Sequence, residues 1–164
     1  MPGTQRDVNF RFLAQPSDVN FGGKVHGGMA MKWIDQAGYA CAVGWCGAYC
    51  VTVSVSGIQF IAPILIGDLV TVQARLIHTG SSSMHLQVDV LARDLRRGED
   101  RLATSCVMVF VALDAPDGHP TPEAPWEPLT DEDRRLQVYA KRLAALSREM
   151  QDEVAAHHPL AARD

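Results

Sequence analysis

Residues 19–38, VNFGGKVHGGMAMKWIDQAG, bring four glycines in two pairs to the start of a run with helical apolar spacing and set one carboxylate, Asp35, in its middle. A helix N-terminus presents N–H groups without intrahelical partners and a partial positive charge. With Gly27 and Gly28 at that position, a ligand oxygen can reach the backbone unobstructed, the makings of an oxyanion site. The plainer reading is a tight turn packed close to a sheet. Asp35 poses a similar choice. A carboxylate in a helix that is apolar nearly all round is costly unless paired, exposed or functional. Lys32 and Gln36 offer a shared polar flank or an ion pair; the competing role is general base or nucleophile.

Spacing adds a constraint. Gly27 and Asp35 are eight residues apart, roughly 12 Å along one helix. A catalytic carboxylate and an oxyanion donor must both come within about 3 Å of the reacting group or its water. One helix cannot serve one substrate with both. If both act, the acid of one chain faces the glycine amide of another, and the active unit is at least a dimer.

The elements that must hold these groups can be read from periodicity. Val8, Phe10 and Phe12 alternate within residues 6–15, a short strand with one buried face. From about His26 to Val43, Met29, Ala30, Met31, Trp33, Ile34, Ala37, Ala40, Cys41 and Val43 surround the helix axis, which predicts a helix buried on most sides. YCVTVSVSGIQFIAP then alternates Val51, Val53 and Val55 against Thr52, Ser54 and Ser56, a strand with one dry face ending at Pro63. Residues 68–78, 82–93 and 101–113 are further strands separated by turn formers. Short connections suit an antiparallel meander, so an α+β domain with one long helix against one antiparallel sheet is expected over 1–113. Residues 114–128 hold five prolines and read as an extended strap. Over 129–164, Thr130 and Asp133 resemble a capping box. Leu136, Tyr139, Leu143, Leu146 and Met150 make an apolar stripe that must cover the sheet or a neighbouring subunit, and the HHPLAARD end reads as frayed.

At 164 residues and 47% apolar the chain suits one domain. A net charge of -4 gives no broad cationic field, which argues against nucleic acid as the main partner. The first 25 residues lack a basic start with an apolar core, and no apolar run approaches the roughly 20 residues that span a bilayer. The expectation is a cytoplasmic protein with no membrane partner. Cys41, Cys46, Cys50 and Cys106 lack C-x-x-C spacing and read as free thiols, with no metal site.

Asp18-Val-Asn20-Phe-Gly-Gly, Val25-His-Gly-Gly28, Trp33-Ile-Asp35-Gln-Ala-Gly38, Phe60-Ile-Ala-Pro63 followed by Gly67-Asp68, and Gly80-Ser-Ser-Ser-Met84 occur in that order. On these motifs the chain resembles an acyl-CoA thioesterase of the hotdog-fold superfamily, in the branch of broad-range acyl-CoA hydrolases, from about Phe12 to Trp126. The resemblance implies a sheet wrapped around the long helix, two protomers joining sheets, and in many relatives three such pairs in a hexamer. It makes Asp35 the catalytic carboxylate, Gly27 the carbonyl-polarising amide and Asn20 a polar residue at the site. For Asn20, holding the glycine turn together is the other role. His26 would orient a loop or substrate, or act as a structural hydrogen-bond partner. No cofactor is implied, coenzyme A being part of the substrate. Relatives commonly follow the glycine at position 80 with arginine and threonine, where this chain has Ser81 and Ser82; substrate binding then falls to Gly28, Gly80, Ser82, Ser83 and Arg75. Two other readings stay open: a hotdog dehydratase or hydratase pairing His26 with an acid, and a non-catalytic acyl-CoA binder or assembly protein using the C-terminal stripe.

Overall fold

The computed structural model describes residues 2–158. Strands β1 (Asp7–Leu13), β2 (Tyr49–Phe60), β3 (Leu69–Thr79), β4 (Ser83–Arg93) and β5 (Asp100–Leu113) form one antiparallel sheet, with helices α1 (Gly27–Cys46) and α2 (Asp131–His157) on its two faces. α1 lies against the inner face. Its Ile34, Ala37 and Cys41 share one core with Val70, Val72, Leu86, Val88 and Phe110. Close approach depends on Gly38, where a Cβ would lie 2.8 Å from the Phe110 ring and 3.0 Å from Met108 Sδ. The helix ends at Gly47, whose φ of 70° only glycine adopts freely and whose N–H bonds Val43 O at 2.7 Å.

The strand order is β1-β3-β4-β5-β2. Only β3, β4 and β5 form the expected meander; β2 sits at the far edge beside β5, and β1 at the other edge beside β3. β2 and β3 are antiparallel but three places apart, roughly 14 Å. Residues 61–68 bridge that span without a helix, since eight extended residues reach roughly 27 Å.

β2 also departs from simple alternation. Its register with β5 shifts between Thr52 and Ser54 and again between Ser56 and Gln59. These bulges change which face a residue meets. Cys50 is buried in the core and Thr52 turns to α1, Val53 is 50% exposed, and Val55 and Ile58 return to the core. The predicted dry face of Val51, Val53 and Val55 is therefore split.

The proline-rich strap is tied down by backbone bonds. Thr121 N–H reaches Ala112 O and Glu123 N–H reaches Ser81 O, while Trp126 N–H donates to Thr79 Oγ1 at 2.8 Å. These place the 4% exposed Trp126 side chain in the core. α2 begins with the predicted capping box, Thr130 and Asp133 each accepting from the other's N–H. Only part of its stripe is covered. Leu136, Ala140 and Leu143 pack on Ile77 and Val107, the apolar patch of the outer face, whereas Tyr139, Leu146 and Met150 remain exposed. Of the C-terminal HHPLAARD, residues 159–164 lie outside the described residues.

Beneath α2, His85 is buried 5.3 Å from His78, ring centre to ring centre. Burial, then His78 and Arg148, lower its pKa to about 4; Lys141 faces His78 from the same helix. The folded protein therefore refuses a proton that the unfolded chain accepts below about 6.5. This contribution to stability is complete above that pH and is lost as pH falls toward 4, on the order of 3 kcal/mol. Urea midpoints should decline over this window, and less steeply for His85→Gln.

Candidate active site

Asn20 begins a tight turn. Its side-chain carbonyl accepts from the N–H of Gly22 at 2.9 Å and of Lys24 at 3.3 Å, and its backbone N–H bonds Lys24 O at 2.7 Å. Gly23, at φ 74°, closes the turn on Asn20 O. Asn20 thus holds the glycine turn. The chain then pairs with the segment before β3, Val25 N–H bonding Ile64 O, and His26 enters the N-cap position. His26 Nδ1 accepts from Met29 N–H at 3.1 Å. That ring nitrogen needs a free lone pair, so the ring is engaged as a helix cap.

Immediately inside the cap, the N–H groups of Gly27 and Gly28 find no partner among the described residues. Gly27 borders a cleft of about 360 Å³ with Asn20, Ala30, Phe60, Pro63 and Thr104. A Cβ on Gly27 would meet the Phe60 ring at 3.1 Å, so the absence of a side chain keeps this corner open. Phe60, 60% exposed on β2, forms the opposite wall.

Asp35 lies at the other end of this wall. Its carboxylate is exposed, and Oδ1 accepts from Thr52 Oγ1–H at 2.7 Å. No ion pair to Lys32 forms; Thr52 replaces the lysine that spacing suggested. α1 and β2 run side by side in opposite directions, pairing Gly27 with Phe60 at one end and Asp35 with Thr52 at the other. Alternation had put Thr52 on the wet face. It shares the inward side with buried Cys50 along the regular stretch Tyr49–Thr52, and the bulge at Val53 then moves Val55 to that side, which periodicity does not show.

The remaining candidates are dispersed. Gly80, Ser82 and Ser83 form the β3–β4 turn, closed by Gly80 N–H on Ser83 O at 2.8 Å and overlain by the strap. Met84 of this turn and Thr52 both pair with Phe110, so the turn lies toward the Asp35 end of β2. Ser83 Oγ also contacts His85 Nε2 at 3.3 Å. Arg75 is not brought to this site. It lies under the start of α2, where Asp133 at 2.6 Å and Glu132 at 3.3 Å balance its charge. This ion-pair cluster borders a separate cavity of about 560 Å³. The pairing holds Asp133 ionised: the Leu129 N–H and the Arg75 guanidinium lower its pKa against the cost of desolvation.

The four cysteines are free thiols, with burial pushing Cys41 and Cys106 up to about 12. Among the described residues no cluster of three or more His, Cys, Asp or Glu side chains is disposed to hold a metal, and no helix is long and apolar enough to cross a membrane.

The profile of the thioesterase superfamily matches residues 22–99. Protein VdlD of Helicobacter pylori is 34% identical over 132 residues, covering 80% of this chain and 75% of that protein. The acyl-CoA thioester hydrolase YciA of Salmonella typhimurium is 33% identical over 121 residues, covering 72% and 90%. The chain belongs to the thioesterase superfamily. A solved apo-hexameric acyl-CoA thioesterase shares the fold with a TM-score of 0.85 at 28% identity, over 92% of this chain and 96% of that one. The sheet wrapped on α1 is accordingly the hotdog fold. The open Gly27 corner could take an oxygen on its free N–H, and the Thr52-held Asp35 is an exposed carboxylate that could serve as a base or nucleophile. Thr52→Val should keep the fold and lower hydrolysis about 10- to 100-fold, the loss of a hydrogen bond to a charged group. Steady-state kinetics on an acyl-CoA checks this.

Proposed function

We propose that the protein hydrolyses acyl-CoA thioesters at reaction centres each built from two protomers. Gly27 N–H of one chain polarises the acyl carbonyl. Asp35 of the partner subunit takes a proton from the attacking water or attacks directly, and the C–S bond breaks with CoA thiolate departing. Thiolate leaves readily, so this route demands no cofactor or metal. The Asn20 amide borders the carbonyl site, and Gly28, Gly80, Ser82 and Ser83 offer polar contacts to the rest of the substrate. A cytoplasmic location follows as an expectation, since acyl-CoA is an intracellular substrate.

The observation that carries this reading is the separation of the two groups. Gly27 abuts Phe60 and Asp35 is held by Thr52, at opposite ends of an edge strand whose outer side has no partner strand among the described residues. A two-fold axis midway between positions 52 and 60, at Ser56, would join two such edges antiparallel and set Thr52 of each chain across from Phe60 of the other. Each Asp35 would then meet the other chain's Gly27 corner. The hexameric neighbour makes an assembly of three such pairs the natural extension. The dehydratase reading lacks an equivalent observation, because His26 is engaged at the helix cap.

Mixing Asp35→Ala with Gly27→Pro tests the shared centre. Each protein alone is inactive, but a mixed dimer holds one undamaged site. Equal mixing with free subunit exchange should restore about a quarter of wild-type turnover, since half the dimers are mixed and half of their sites are intact. Thiol release from acyl-CoA reports it. No recovery after exchange verified by mass would rule out the two-chain centre.

A further inference from the structure

α2 crosses the outer face of the sheet and continues past its edge. Its first turn is fixed to β3 through Arg75, its middle sits on Ile77 and Val107, and Ser147 Oγ meets Ser56 Oγ of β2 at 2.7 Å. β2 is the last strand. Every residue from Arg148 to His157 is exposed, and beyond Gln151, the last helical residue to border a cavity with β2, the helix runs past the sheet edge. The six residues from Asp152 to His157 extend about 9 Å, roughly two strand spacings.

This overhang is not built for water alone. Met150 and Val154, 69% and 54% exposed, continue from Leu146 at four-residue intervals. An unpartnered helix would be polar all round. Charge is also segregated along α2. Arg134, Arg135, Lys141, Arg142 and Arg148 have no carboxylate among them, and Glu149, Asp152 and Glu153 follow with no Lys or Arg before the helix ends.

We propose that the overhang of each α2 docks antiparallel against α2 of a second copy, clasping the dimer across its joined β2 edges. The inference rests on the two-protomer reading above, which puts the two-fold axis at Ser56. Ser147 stands on that residue. Antiparallel alignment about Ser147 sets Asp152 opposite Arg142 and Glu153 opposite Lys141, while Met150 falls opposite Ala144. Parallel alignment would set like charges together. The helices do not collide on the axis, because α2 passes on the Val53–Ser56 side of β2, where Ser147, Arg148 and Gln151 border a cavity of about 180 Å³ with Val53 and Ser54. Its mate passes on the other side.

The test uses the full chain in a sedimentation dilution series. Met150→Glu combined with Val154→Glu should weaken dimerisation at least about tenfold by loss of apolar burial, with unchanged far-UV circular dichroism. Reversing Glu149, Asp152 and Glu153 to arginine should also weaken it, and reversing Lys141, Arg142 and Arg148 to glutamate in the same chain should restore it. Unaltered dissociation in both sets overturns the clasp; recovery of activity by mixed Asp35 and Gly27 variants would then show the two-chain site standing without it. A wild-type chain that is monomeric at every concentration overturns both.

Discussion

Asp35→Asn is expected to lower kcat/KM for acyl-CoA by about 10²- to 10⁴-fold, the range attributed to a positioned acid–base group. The amide has the shape of the carboxylate and keeps an oxygen to accept from Thr52 Oγ1–H, so the local structure has little reason to change. Asp35 is exposed and forms no ion pair among the described residues, so no buried charge loses its partner. What disappears is the anion that draws a proton from water or attacks the carbonyl. Unchanged thermal unfolding with collapsed turnover is the expected result. Near-normal turnover removes Asp35 from the chemistry.

Gly27→Pro should cost about 10²- to 10³-fold in kcat, the loss found when one oxyanion donor is removed. Proline normally confounds such a test by breaking a helix, but Gly27 is the first helical residue, where proline is tolerated. The preceding residue must be extended, and His26 already is, at φ -75° and ψ 150°. The added ring presses on Phe60, which is largely exposed and can yield. Gly27→Ala separates the two effects, because it adds the Cβ and keeps the N–H. Alanine near wild type with proline inactive assigns the loss to the amide; equal losses assign it to crowding.

Local elements of this fold are legible in the chain because their causes are local. The apolar ring of α1, the Thr130–Asp133 cap of α2 and the β3–β4–β5 turns each depend on residues a few positions apart. Strand order is another matter: β2 joins β5 rather than β3 through pairings some fifty residues apart, which alternation does not encode. The sequence offers Arg75 for substrate binding because its partner, Asp133, is 58 residues away. Thr52 is not evident because the bulge after it puts Val55, which alternation groups with Val51 and Val53, on the side that Thr52 occupies, and Asn20 and His26 have local hydrogen-bonding roles that their residue types permit but do not require. The glycine corner and Asp35 were visible, since backbone access and a charge in apolar surroundings are both statements about sequence.

The interruptions of β2 also bear on how this protein survives at high concentration. An open twelve-residue margin would ordinarily template runaway fibril growth. Here the register breaks leave regular runs of at most four residues, so a straight foreign strand gains only a few ladder bonds before falling out of step. A margin carrying the same irregularities in reverse order suffers no such mismatch, and the kink that follows Thr52 thereby also acts as a filter against promiscuous aggregation.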